Sequence, residues 1–344
     1  MSSTVIEAPS PAAGQPPVPP GPPLLPPTGG PGGPGGPSGP SKPPKPPRMP
    51  KRMPRSMQPL APLTAQQVLA RSALALVAAL LFAFALNLMV LSHLQHAVSQ
   101  QQLTDTYRAQ LAAGTAPVSE GAFDDTLLVD GAPVAIIEIP SIGVSEVIVE
   151  GTTSADTKAG PGHRRDTVLP GQAGVSVVMA RSAAYGGPFS RIQELAPGAT
   201  FSVLTGQGIQ KFAVIGVRYA GDPAPPSPKA GESRLILETA RGAAYIPTGI
   251  ARVDAQLVST TQPAGQRQSS YTTLPPQATE LATDSSQVWA LVFALQFFVV
   301  AEIAAVWAYR RVGAQKMWVV FVPVMFLAGL LVADQVNLLL PNLL

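Results

Sequence analysis

The chain has 344 residues, of which 46% are hydrophobic and only 12% charged. It contains no cysteine, which excludes disulfides, thiolate metal sites and a cysteine nucleophile. A net charge of +3 is too small to mark a nucleic-acid-binding surface, and three histidines (His93, His96, His163) are too few for a multi-histidine metal site.

Residues 1–60 hold 21 Pro and 9 Gly, so half of this stretch cannot build a packed core, and it reads as a disordered, proline-rich cytoplasmic tail. Within it, Lys42 to Arg55 is basic and locally extended as polyproline II, a solvated linker and topology signal. Three apolar runs follow along the chain, at residues 72–91, 288–309 and 317–340, each close to or above the ~20 residues a helix needs to cross the hydrocarbon core. Before the first run stand Lys42, Lys45, Arg48, Lys51, Arg52, Arg55 and Arg71, and between the last two stand Arg310, Arg311 and Lys316. The positive-inside rule therefore predicts a multi-pass plasma-membrane protein with a cytoplasmic N-terminus, an extracytoplasmic domain between spans one and two, and an extracytoplasmic C-terminus.

Residues 92–132 read as an extracytoplasmic stalk, helical at first, with Leu103, Tyr107 and Leu111 at four-residue spacing. From Pro133 the texture turns to short β-branched runs: Ala135–Ile139, Glu146–Val149, Val175–Met179, Phe201–Leu204, Gly208–Tyr219, Arg234–Glu238 and Arg252–Val258. Short helical turns are predicted near Ser154–Lys158 and Ser190–Leu195. This many short strands with few helices predicts a small barrel or sandwich. Residues 261–286 are polar, lack periodicity and read as a linker back to the second span. Asp124, Asp125 and Asp130 match no calcium loop and read as a solvated loop; no metal and no cofactor is expected.

The run Gly160 to Phe189, GPGHRRDTVLPGQAGVSVVMARSAAYGGPF, resembles the sortase family, in particular its actinobacterial housekeeping, class E-like type. Gly160, Pro161, Gly162, His163, Thr167, Leu169, Pro170, Gly171, Gln172 and Gly174 match one block of that family, and Tyr185, Gly186, Pro188 and Phe189 match another. The resemblance covers roughly residues 133–260. It implies an eight-stranded sortase-like β-barrel with short helices, in a mainly β protein that also carries the three membrane helices.

The resemblance also implies a site where a cysteine thiolate attacks a sorting signal, a histidine protonates the leaving amine and an arginine stabilises the oxyanion. In this chain those positions fall on Ala240, Arg181 and Ile250, or on Arg252 if the last strand shifts by two residues. The expectation is therefore a catalytically degenerate protein that is not an enzyme: a membrane protein presenting a binding or scaffolding barrel on the cell-wall side. Its partners beyond the bilayer would be a cell-surface protein, a wall precursor or a second membrane protein, with no nucleic acid. Two alternatives stand beside it, an enzyme acting on sorting signals or wall peptides by non-cysteine chemistry and an accessory subunit of a membrane transport or secretion complex. Arg181, His163, Tyr185 and Arg252 are candidate ligand-binding residues, His163 also matching the family's upstream, non-catalytic histidine.

Within the spans, Asn87, Gln296, Glu302 and Asp334 are the polar exceptions. Depth along straight helices predicts one polar layer of Asn87, Gln296 and Asp334. It leaves Glu302 without a partner in this chain, so Glu302 is expected to face a second membrane protein or another copy.

Overall fold

The structure is a computed structural model and describes residues 64–344 apart from 122–125, 266 and 268. The proline-rich tail and the pair Asp124 and Asp125 lie outside the described residues.

Helix formation starts at a reciprocal cap, in which Thr64 Oγ1 accepts from the Gln67 amide and Gln67 Oε1 accepts from the Thr64 amide. Helix α1 (Ala65–Leu86) passes through one wide π-helical turn, Asn87–Leu91, into α2 (Ser92–Ala113). Gly114, at φ 68°, ends the run in the left-handed conformation that glycine adopts without strain. The second half of this 49-residue helix lies against the barrel. Tyr107 is fully buried, and its hydroxyl donates to the Val134 carbonyl at 2.9 Å. Gln100 accepts from the Val147 amide at 2.7 Å and donates to the Ala159 carbonyl at 2.8 Å.

The barrel has eight strands: β1 (Pro133–Ile139), β2 (Val144–Glu150), β3 (Gly162–His163), β4 (Gly174–Met179), β5 (Thr200–Thr205), β6 (Gly208–Arg218), β7 (Ser233–Ala243) and β8 (Ile246–Leu257). They close in the order β1-β2-β3-β4-β7-β8-β6-β5, which leaves no free edge. A four-residue helix α3 (Asp156–Ala159) follows β2. Alternation sets the two faces. Ile137, Ile139, Val203, Phe212, Leu235, Leu237, Val253 and Ala255 point inward, and the Phe201 and Phe212 rings stack at 5.6 Å. On β4, β7 and β8 the alternate residues, among them Val177, Met179, Ala240 and Ile250, point outward and are nevertheless packed.

The Gly160–His163 turn explains its own glycines. A Cβ at Gly162 would stand 2.2 Å from the Gly151 carbonyl oxygen, and one at Gly160 would stand 2.7 Å from the Val147 carbonyl oxygen. Both neighbours are backbone of β2 or its exit and cannot step aside. Gly162→Ala is therefore expected to destabilise the chain by about 2 kcal/mol or more, as overpacking in a tight core does. Thermal unfolding of the purified full chain checks this, and a melting temperature within a degree of the parent's would contradict it.

After the barrel, the described residues between 258 and 287 run along its surface. Gln262 pairs with Gln172, and the Thr152 hydroxyl donates to the Ala278 carbonyl at 2.6 Å. Helices α4 (Val288–Val312) and α5 (Ala314–Leu338) then form a hairpin that turns at Gly313. Ala294, Phe298, Ala328 and Val332 are buried between them, with Leu76 and Leu80 of α1 packed against this seam. Small residues allow the close approach: a Cβ on Gly329 would meet that of Ala83 at 3.5 Å. Large apolar side chains such as Trp289, Phe293, Trp307 and Trp318 face outward. Three helices are thus long and apolar enough to cross a membrane.

Candidate functional site: a groove closed by the chain itself

The outward face of β4, β7 and β8 is built by register. Strand β7 lies parallel to β4, with Met179 opposite Glu238, and antiparallel to β8, with Ala240 opposite Ile250 and Glu238 opposite Arg252. Ala240 and Ile250 are therefore direct cross-strand neighbours, and Arg252 stands two residues further along the same face. Arg252 Nε donates to Glu238 Oε1 at 2.6 Å. Burial pushes the Glu238 carboxyl above its usual range, and Arg252 opposes that shift.

This face is not open. The segment that follows α5, Leu339–Leu344, folds back onto it. Leu343 and Leu344 are buried against Val177, Met179 and Ala240, with Ile250 and Leu281 beside them. Over this face the polar contacts of Leu343 and Leu344 run through their backbone. The Ser182 amide donates to the Leu343 carbonyl at 2.9 Å, and Arg181 Nη1 donates to the Leu344 carbonyl at 3.2 Å. Arg181 is fully buried, the largest such side chain, and its Nη2 donates to the Ser154 carbonyl at 2.9 Å and to the Ser154 hydroxyl at 2.7 Å. Desolvation lowers its pKa to about 10, so it remains a cation at neutral pH. Its guanidinium also stands 5.0 Å from the centre of the Tyr185 ring, which Lys158 approaches from 5.5 Å.

The same end of the barrel is fastened to the helices. Lys158 Nζ pairs with Asp334 at 3.0 and 3.2 Å, and Asn337 Nδ2 donates to Asn87 Oδ1. Asn342 Nδ2 donates to the Thr152 carbonyl at 2.7 Å and to the Thr279 carbonyl at 2.8 Å. The Ser154 hydroxyl donates to the Leu340 carbonyl. His96 of α2 pairs with Glu146 at 3.1 Å. The π-helical turn falls at this junction, where Leu88 packs on Ala184 and Tyr185.

Of the residues singled out in the sequence, Arg181, Ala240 and Ile250 converge around Leu343 and Leu344, and Tyr185 stands beside Arg181. His163 does not join them. It is fully buried, with Nδ1 2.8 Å from Glu150 and Nε2 2.9 Å from the Val168 carbonyl, a local tie between β2, β3 and the loop after β3. Thr239 faces inward and donates its hydroxyl to the Ala180 carbonyl. Among the described residues no cluster of three or more His, Asp or Glu stands close enough to hold a metal.

The expected polar layer of Asn87, Gln296 and Asp334 is not what forms. Gln296 is exposed, Asn87 meets Asn337 one turn beyond Asp334, and Asp334 reaches out of the bundle to Lys158 on the barrel. Glu302 is half-buried and lines an open cavity of about 720 Å³ between the helices, with Ser72, Ile303 and Met317 among its walls.

His96 and Gln100 were missed as parts of this junction. Their signal was present: His96, Gln100, Leu103 and Tyr107 repeat at the 4-3-4 spacing of one helical face. Leu343 and Leu344 gave no signal, because they lie more than 160 residues from Arg181 and look like the end of a membrane run.

Asp156 of α3 sits in the wall of this junction and supplies a pH handle. Its carboxylate accepts from the Thr153 amide and hydroxyl, but burial dominates and raises its pKa from 3.8 to about 6. The folded chain therefore binds a proton that the unfolded chain has released, and stability falls as pH rises from about 4 to 6. The effect is on the order of 3 kcal/mol. Asp156→Asn should flatten the melting temperature across that window relative to the parent. An unchanged slope would remove Asp156 as its source.

Residues 137–245, which run from β1 to the β7–β8 turn, match the model of the Sortase domain. No curated protein matches the chain. Among solved structures, it is similar to a sortase D5 transpeptidase of Clostridium perfringens, at 18% identity over 47% of this chain and 99% of that one, with TM-score 0.40. A sortase C of the same organism, solved with the C-terminal cell wall sorting motif, matches at 22% identity over 47% and 88%, with TM-score 0.36. Sortase E of Streptomyces avermitilis matches at 26% identity over 38% and 91%, with TM-score 0.33. The family match corrects one expectation from the sequence: the protein was expected not to be an enzyme, whereas residues 137–245 match the domain model of an enzyme family, the sortases.

Proposed function

We propose that this is a membrane-anchored sortase-domain protein that displays its barrel on the cell-wall side and uses the groove over Ala240 to hold an extended peptide segment, in a binding or scaffolding role. One observation carries the reading. The groove already holds such a segment, with two leucine side chains in an apolar pocket and their carbonyls taken by Arg181 and Ser182. Backbone recognition of this kind admits other sequences of similar shape. Cell-surface proteins, wall precursors and other membrane proteins are the partner classes. The orientation is supported by charge: the hairpin end that carries Arg310, Arg311 and Lys316 is the end remote from the barrel.

A second reading, an enzyme acting on sorting signals by non-cysteine chemistry, is favoured by the family of the domain. One assay separates the two. The full chain with Leu343→Glu and Leu344→Glu, which expels the segment, is titrated with a fluorescent sorting-signal peptide, and the peptide is recovered for mass spectrometry. Saturable binding of intact peptide is expected. No binding would overturn the groove reading, and a cleaved peptide would establish the second. For orientation, a cysteine introduced at exposed Val258 should react with a membrane-impermeant maleimide in intact cells. Protection of that position until the cells are lysed would reverse the topology.

A further inference from the structure

We propose that Leu340–Leu344 is a tethered self-ligand and that the third membrane helix, α5, gates the groove by holding this segment in place. The gating rests on where the segment sits. It takes from the reading above only that the vacated groove is the peptide site.

Three observations carry it. First, the occupant is separate from the barrel strands in sequence, and over Ala240 it is bound through contacts that do not specify its side chains, the one specific side-chain anchor being Asn342 at its edge. The Ser182 amide and Arg181 take backbone carbonyls, and the pocket of Val177, Met179 and Ala240 asks only for aliphatic bulk. Such an occupant leaves without disturbing the ladder that closes the barrel, since β4, β7 and β8 are paired with one another and not with it.

Second, the tether is short. Helix α5 ends at Leu338, and the segment is already engaged at Leu340, whose carbonyl accepts from Ser154. Two residues of extended chain span at most about 7 Å. A shift of α5 by one helical turn, about 5.4 Å, would use most of that reach. Displacement of the helix along its axis is therefore passed to Leu343 and Leu344.

Third, the position of α5 is set by polar contacts of two discrete kinds at its barrel end, the Lys158–Asp334 ion pair and the Asn337–Asn87 hydrogen bond. Lys158 belongs to the barrel and Asn87 to the first membrane helix. The helix that carries the plug is thus registered against both the barrel and its neighbour. A partner in the membrane that moves α5 would open the groove on the far side of the same helix. Buried polar atoms in the closed state, Glu238 Oε2 and Asn342 Oδ1, have no partner there, so the plug fits the site without saturating it.

The absence of any natural cysteine makes the test direct. Ala240→Cys is made in the full chain, reconstituted in lipid nanodiscs, and the rate of maleimide labelling is measured. Ala240 is 3% exposed, so slow labelling is expected. Adding Leu343→Glu and Leu344→Glu should raise the rate at least tenfold. Adding Lys158→Ala instead should raise it by a smaller but clear factor, because α5 loses its register on the barrel. Thr239→Cys, on the inward face, reports unfolding and should stay slow in both backgrounds. Leu344→Cys, which creates space where Ala240→Cys adds an atom, should also label slowly in the otherwise natural chain and faster with Lys158→Ala. Fast labelling of both Ala240→Cys and Leu344→Cys without further changes would show that the segment does not occlude the groove. A Lys158→Ala rate equal to the parent's at both positions would overturn gating by α5. Acceleration at Thr239→Cys equal to that at Ala240→Cys would assign the effect to unfolding and overturn it as well. Peptide binding by the expelled variant is read separately, so loss of the peptide reading leaves the gating result standing.

Discussion

Arg181→Met is expected to be among the most damaging single substitutions in the barrel, lowering stability by about 3–4 kcal/mol. Methionine keeps much of the volume and removes the buried charge, which on its own is favourable or neutral. What it cannot do is donate. The carbonyls of Ser154 and Leu344 each lose a buried hydrogen bond, as does the Ser154 hydroxyl, and a buried acceptor left without a donor costs about 1–3 kcal/mol. The effect should therefore appear in two places. Thermal unfolding should shift downward, and the segment should loosen, seen as faster proteolysis or hydrogen exchange at Leu343 and Leu344. Arg181→Lys keeps a charge but not the planar fork that reaches Ser154 and Leu344 together, so it should recover less than half of the loss. A melt within a degree of the parent's for Arg181→Met would mean that the guanidinium is a passenger in this pocket.

That pocket also shows what sequence reading reaches. The barrel was legible because short β-branched runs such as Ala135–Ile139, Val175–Met179 and Arg234–Glu238, bounded by glycine and proline turns, recur along residues 133–258 with few helices between them. β3 was not legible, since Gly162 and His163 form a two-residue strand defined by neighbours and not by pattern. The hairpin of β7 and β8 runs to Ala243 and back from Ile246, further than the apolar runs at Arg234–Glu238 and Arg252–Val258, because its tip is held by pairing across exposed residues with little hydrophobic signal. The positions of Arg181, Ala240 and Ile250 followed from the family resemblance, and the register places all three at one spot. Their present use did not follow. It depends on a contact between residues 181 and 344, and local periodicity carries no information about a partner so distant. Depth along a straight helix brought Asn87 to the correct end of α5. It did not reveal that a folded domain sits there and supplies Lys158 to Asp334.

The Lys158–Asp334 pair should behave as a fastener whose halves, removed singly, cost more in sum than removal of both together. Both side chains are about three-quarters or more buried, 25% and 20% exposed, at the junction of barrel and bundle. Lys158→Met leaves Asp334 facing an apolar helix seam and the Tyr185 ring without its cation. Breaking a buried pair on one side costs about 3–5 kcal/mol, and partial exposure here reduces that to about 2–3. Asp334→Leu alone strands the ammonium, but the lysine stem is long enough to reach water, so its loss should be smaller, about 1 kcal/mol. The double variant Lys158→Met with Asp334→Leu removes both charges and places apolar side chains where they touch, so it should lie within about 1 kcal/mol of the parent. Thermal unfolding of the four full-length proteins in one detergent gives the cycle, and the coupling energy should exceed 1 kcal/mol in favour of the pair. Additive losses in the double variant would mean that barrel and helices are held by the Asn342 and Gln100 hydrogen bonds alone, with the ion pair contributing nothing to their register.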